Sequence, residues 1–175
     1  MRMKMNEAET DKKWFAVITG FRREKYVLEL LIRKKIVAYL PLIKRTRKYR
    51  SRIKSHDVPL LSCYVFVLIH DDERIKILET EYVKGFVKFD GKEAEIPPHE
   101  IAILKKVVGQ YDDVQVIDKA VLENGDKVEL LAGDLTGLTG RIIEKKGKRL
   151  FLVRFDRLDI DLSWTVSSSK LRKVI

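Results

Sequence analysis

Tyr64-Val65-Phe66-Val67-Leu68-Ile69 is the most hydrophobic run in the chain, and its reading decides the fold. Six aromatic, β-branched and aliphatic residues without a charge are too few for a buried helix and suit a central strand. Val58-Pro59-Leu60-Leu61 leads into it. Upstream, Trp14-Phe15-Ala16-Val17-Ile18 has the same texture and predicts a second buried strand, closed by Gly20. Between the two, Tyr26, Val27, Leu30 and Leu31 recur at helical spacing from Arg22 to Lys35, which predicts an amphipathic helix with one face on a sheet. Ala38 to Ile43 reads as extended, with Pro41 favouring an edge. Downstream, Asp71 or Asp72 can cap a short helix reaching about Thr80, with Ile75 and Leu78 facing inward and Ile77 a further candidate. Gly85 to Phe89 alternates as a strand and turns at Asp90-Gly91. Pro97 and Pro98 suit the first turn of a third helix, with Ile101, Leu104 and Val108 on one face. Few strands with short connections favour an α+β layer over a doubly wound parallel sheet.

The texture changes after Gly109. Gln110 to Leu122 reads as a linker, and from Glu123 onward the pattern is all-β. Five short strands are expected, at Lys127–Leu131, Arg141–Glu144, Leu150–Phe155, Ile160–Val166 and Lys170–Ile175, and so many in about fifty residues suggest a small closed barrel. Gly133, Gly137 and Gly140 fall where the backbone must turn sharply or accept a positive φ. Val128, Leu130, Ile142, Val153 and Phe155 are its expected core, while Trp164 is open between barrel filler and exposed contact.

Charge supplies the functional clue. Of 36 Lys and Arg, 17 lie in residues 1–55 with only 5 of the 26 acids, a local net of +12 that leaves −2 for the rest. Lys44 to Lys54 holds seven basic residues in eleven positions and no acid. Such a stretch can bury little, so a projecting β-hairpin or a mobile loop is expected. Clustered like charge faces a polyanion or forms a solvated face, and a phosphate backbone is the partner that would neutralise it. With 45% hydrophobic residues a disordered chain is excluded, and no apolar run reaches the roughly 18 residues of a membrane span. Met1 to Lys13 has no apolar signal core. The single Cys63 excludes an internal disulfide and a cysteine zinc cluster and suits a reducing cytoplasm. His56, His70 and His99 lack metal-ligand spacing, and neither a phosphate-cradling loop nor a nucleophile elbow is present. No enzyme and no cofactor is expected.

Gly125-Asp126-Lys127-Val128-Glu129-Leu130-Leu131-Ala132-Gly133, followed by Gly137-Leu138-Thr139-Gly140-Arg141-Ile142, resembles a KOW motif, which sits in small SH3-like barrels of ribosomal and transcription proteins. Lys13-Trp14-Phe15-Ala16-Val17, Arg22-Arg23-Glu24-Lys25, Tyr39-Leu40-Pro41-Leu42 and Pro59-Leu60 running into Tyr64-Val65-Phe66-Val67 resemble the N-terminal domain of NusG in order and spacing. Gly85-Phe86-Val87 and Ile96-Pro97 continue the likeness. The resemblance implies a flexible N-terminus over 1–12, a NusG-like domain with an antiparallel sheet flanked by helices over 13–109, a linker over 110–122 and an SH3-like KOW barrel over 123–175. One departure stands out: the family places Pro-Gly or Pro-Asn before the tyrosine, where this chain has Ser62-Cys63.

What the resemblance implies is a monomeric transcription elongation and antitermination factor that binds RNA polymerase and suppresses pausing and termination. Tyr39-Leu40-Pro41 before a long basic stretch is nearest to the specialised UpxY- and RfaH-like operon regulators. By position, Ile18, Leu61, Tyr64 and Phe66 are the candidate polymerase contacts. Tyr64 and Phe66 alternate on one strand and so share a face, as interface anchors or as core under a helix. Arg22, Arg23, Lys44, Arg45, Arg47, Lys48, Arg50, Arg52 and Lys54 are candidates for the phosphates of non-template or upstream DNA, with Tyr49 able to stack on an unpaired base. Nascent RNA, a ribosomal protein or a termination factor are candidate partners of the barrel. The rival reading is a KOW-containing RNA- or ribosome-binding protein whose basic segment grips ribosomal RNA.

Overall fold

Runs of β-branched and aromatic residues become strands, and the charged periodic stretches between them become helices or turns. The computed structural model describes residues 11–48, 52–117, 125–145 and 147–174. Residues 1–10 of the expected flexible N-terminus, Tyr49 and Arg50 of the basic segment and 118–122 of the expected linker lie outside the described residues. In chain order the elements are β1 (Lys13–Thr19), α1 (Glu24–Arg33), β2 (Val37–Tyr39), β3 (Leu42–Lys48), β4 (Ile53–Pro59) and β5 (Tyr64–Ile69). A 3₁₀ turn (Asp71–Glu73) follows, with α2 (Arg74–Leu78), β6 (Val83–Phe86), β7 (Lys88–Phe89), β8 (Lys92–Glu93), β9 (Glu95–Ile96) and α3 (Pro98–Gln110). The last strands are β10 (Gln115–Ile117), β11 (Asp126–Leu130), β12 (Thr139–Lys145), β13 (Lys148–Phe155), β14 (Ile160–Thr165) and β15 (Leu171–Lys173). Two compact units result: Met1–Leu40 with Leu61–Pro98, and Pro41–Leu60 with His99–Ile175.

The first unit is a five-stranded antiparallel sheet in the order β2-β5-β1-β6, with β9 sharing the β1 edge beside β6. The decisive hydrophobic run is β5, with the bounds the sequence predicts. α1 packs on β5 and β2 and turns Val27 and Leu31 inward. Its end is a Schellman motif: Lys35 at φ 61° donates to Ile32, and Ile36 donates to Leu31 at 3.0 Å. The Lys34 ammonium then donates to the Lys76 carbonyl and Thr80 Oγ1, each at 2.9 Å, tying α1 to the end of α2. The short second helix differs from expectation. His70 precedes the 3₁₀ turn, with its amide held by the Glu73 carboxylate at 3.0 Å. Ile77 is buried, while Ile75 and Leu78 are exposed, because a 3₁₀ start advances the phase of the helix that follows.

In the second unit, β3 and β4 form a two-stranded antiparallel ribbon, so of the two forms open to the basic segment the hairpin is the one adopted. α3 buries Ile101, Leu104 and Val107, with Val107 taking the inward place expected of Val108. The C-terminal strands pair in the order β10-β14-β13-β12-β11-β15. This corrects the expected closed barrel: β10 arises from the stretch read as linker and takes the outer edge of β14, so β15, paired with β11, has no edge there on which to close. Trp164 is filler, fully buried between the rings of Phe151 and Tyr111 at 5.2 and 5.3 Å. Ile143 is buried, and Ile142, expected in the core, is half-buried. Gly140 serves a close approach: a Cβ there would meet the Leu152 carbonyl oxygen at 2.3 Å and the Phe151 ring at 2.7 Å.

Candidate functional site

Register assigns the two faces of the first sheet. Opposed residues of an antiparallel pair share a face, so Ile18 with Tyr64, Ala16 with Phe66 and Tyr39, and Trp14 with Leu68 and Val37 line one side. The other side carries Phe15, Val17, Thr19, Val65, Val67 and Ile69, all 3% exposed or less. That side is closed along its centre, with Ala38 half-buried and Lys13 exposed at its margins. The first side is graded: Ala16 and Phe66 are fully buried, Ile18, Tyr64, Leu68 and Tyr39 are half-buried, and Val37 is 50% exposed.

Of the four residues that sequence nominates for the polymerase contact, register brings Ile18 and Tyr64 together at an accessible position. Phe66, on the same face in register, and Leu61 are buried, Leu61 at 4% exposure. Tyr39, Val37 and Leu68 join the face and were missed. Strand alternation through Val37-Ala38-Tyr39 was the available signal, weakened by the shortness of β2. The Tyr39 ring lies 6.2 Å from that of Phe66, and burial pushes its phenol up to about 12.

The turn before Tyr64 is fixed by a buried charge. Glu24, 4% exposed at the start of α1, accepts the Cys63 amide at 2.7 Å, and the Cys63 carbonyl accepts Thr19 N–H at 2.8 Å. Cys63 sits at φ 67°, a conformation that Gly and Asn adopt at least cost. The local departure from the resembled Pro-Gly or Pro-Asn therefore leaves a strained residue in this turn.

Cationic groups occur in both units. In the first, Arg22 and Arg23 are exposed at the β1–α1 turn, with Arg22 at φ 60°. The Arg22 guanidinium lies 5.1 Å from the Phe21 ring and that of Arg23 4.6 Å from the Tyr82 ring. Tyr82 in turn packs edge-on to Tyr26 at 5.8 Å. Phe21 (66%), Tyr26 and Tyr82 (both 40%) are exposed, so Tyr26, expected on the packed face of the helix, belongs instead to an open aromatic cluster. In the second unit, Lys44, Arg45 and Lys48 on β3 and Arg52 and Lys54 at β4 are all exposed, and Arg47 stands opposite Lys54 in register. That unit also holds a cavity of about 720 Å³ lined by Val128, Ile142, Ile143 and Leu171 with Asp126 and Arg149 at its rim. Among the described residues no helix is long and apolar enough to cross a membrane.

These features define a mixed α/β protein with few helices, one partly open apolar sheet face and an exposed cationic ribbon. The family model described as transcription termination factor nusG matches residues 12–105, from β1 into α3, and the chain belongs to this NusG family of transcription factors. No curated protein matches the chain. Among solved structures, that of the domain interaction in Thermotoga maritima NusG is similar over 95% of this chain and 99% of that one, at 19% identity and a TM-score of 0.56. At that identity the likeness is one of fold. The MjSpt4:Spt5 complex in conformation A aligns over 92% of this chain and 97% of that chain at 19% identity, with a TM-score of 0.30, too low to carry an argument.

Proposed function

We propose that this chain is a transcription elongation and antitermination factor, specialised for particular operons, that binds RNA polymerase through the open face of its first sheet. The observation that carries the reading is the register pair Ile18–Tyr64, accessible on a sheet whose opposite face is closed along its centre. A tyrosine with an apolar body and a polar tip, backed by buried Phe66 and flanked by Tyr39 and Val37, is a suitable interface anchor. The exposed arginines and lysines then hold non-template or upstream DNA by its phosphates. A factor bound to both shifts polymerase from paused to elongating states by its higher affinity for the latter, and no chemistry of its own is required. The C-terminal strands, with their KOW-like sequence, recruit a further partner.

The test is retention of the protein by purified core polymerase, wild type against Tyr64→Ala. Loss of binding with an unchanged circular dichroism spectrum is expected, and full retention contradicts the reading. In reconstituted transcription the wild type should lengthen transcripts through a terminator. A second reading, a ribosome- or RNA-binding protein, draws on the cationic ribbon alone. It predicts co-sedimentation with ribosomal subunits and indifference to core polymerase.

A further inference from the structure

The register of the ribbon divides its charge unevenly. Ile43 pairs with Val58, Arg45 with His56 and Arg47 with Lys54, while Lys44 pairs with Asp57, Thr46 with Ser55 and Lys48 with Ile53. Side chains alternate along a strand and opposed residues share a face. One face of the ribbon therefore presents Arg45, His56 and Lys54, with Arg47 in the same register row and no acid. The other sets Lys44 against Asp57, then two hydroxyls against each other, then Lys48 against Ile53. Arg45, Lys54 and His56 are exposed, as are Thr46 and Ser55.

The first face is an unfavourable way to build a hairpin. Like charges directly opposite destabilise a pair by up to about 1 kcal/mol, and an isolated two-stranded ribbon is marginal to begin with. Among the described strands this ribbon pairs with no other sheet. An anion lying across the face turns that repulsion into attraction. A ribbon inserted into a major groove would meet phosphates on both flanks, yet on the second flank the charge of Lys44 is offset by Asp57 opposite it, which leaves Lys48 beside two hydroxyls. A single backbone running along one face fits the distribution better.

We propose that the ribbon holds a nucleic acid backbone through its Arg45–His56–Lys54 face alone, with His56 as a phosphate-contacting residue. This rests on the nucleic acid contact proposed above. The face is regular: alternate residues of a strand recur at about 6.8 Å, so successive cations meet successive positions along an extended backbone.

The test exploits two adjacent residues on opposite faces of β4, using the full chain and a fluorescein-labelled thymidine oligonucleotide of about 15 nucleotides. Anisotropy is read in about 0.15 M salt, where the Debye length of about 8 Å limits cross-talk between the faces. His56→Glu and Ser55→Glu add the same charge. The expected result is a loss of about tenfold or more for His56→Glu and less than about threefold for Ser55→Glu. His56→Arg should tighten binding by about threefold where Ser55→Arg does not, which guards against a misfolded ribbon in the glutamate variant. Equal effects at the two positions overturn the one-faced ribbon while leaving the nucleic acid reading standing. A wild type that ignores the oligonucleotide but binds poly-glutamate overturns both and reassigns the face to an acidic protein.

Discussion

The β1–β5 pair and the β3–β4 ribbon are both antiparallel pairings, and they are held by opposite means. In the first, seven apolar side chains on two strands are almost without exposure, and Glu24 beside them is buried and bonded to the Cys63 amide. In the second, every described side chain from Lys44 to Asp57 is exposed, and along one face Arg45 stands opposite His56 and Arg47 opposite Lys54. Stability is concentrated where charge is absent, and recognition is concentrated where burial is absent. An element that buries little can be optimised for a partner, because its own packing does not constrain its residues.

The contrast can be broken by moving a mutation from one region to the other. Phe66→Ala should destabilise the fold by about 3–5 kcal/mol in chemical denaturation, as expected for emptying a fully buried aromatic site. Arg45→Ala should stay within about 0.5 kcal/mol. Comparable losses would erase the distinction. Glu24→Ala tests the buried carboxylate beside the sheet, and loss of a carboxylate bonded to a backbone amide should cost about 1–3 kcal/mol. It should also weaken polymerase binding, because the turn it holds positions Tyr64. Cys63→Gly should act in the other direction, raising the free energy of unfolding by about 0.5–1 kcal/mol through relief of the left-handed backbone.

Much of this was legible beforehand, because the sheet region signals through hydrophobic runs. Tyr64–Ile69 and Trp14–Ile18 cannot be placed elsewhere at acceptable cost, and Asp90-Gly91 carries positive φ of 49° and 76° in the tight turn its sequence predicts. The ribbon was legible only as charge. Seven cations in eleven residues exclude burial but leave hairpin and loop equally possible, and register, which creates its two faces, depends on pairing that no periodicity reveals. β10 escaped because three residues, two of them exposed, carry almost no pattern and gain their strand character from the edge of β14. The open sheet face was half visible: Tyr64 was found, but Val37 and Tyr39 belong to it through a pairing with β5 that lies far along the chain.

An effect confined to alkaline pH concerns Tyr39 on that face. Its phenol is raised to about 12 by burial, so the folded state keeps its proton where the unfolded chain, near 10, has lost it. The stability this contributes is complete below pH 10 and falls away as pH rises from about 10 to 12. Tyr39→Phe should flatten that part of the stability curve, and an unaltered slope would mean the ring is more open to water than its packing on Phe66 indicates.

The most direct measurement is photo-crosslinking to core polymerase with benzoylphenylalanine introduced in place of Tyr64 and, separately, in place of Ile75, which is 66% exposed on α2. The proposed docking face predicts an adduct with a polymerase subunit from position 64 and none from position 75. Adducts from 75 alone, or from neither position while the protein remains bound, would contradict it.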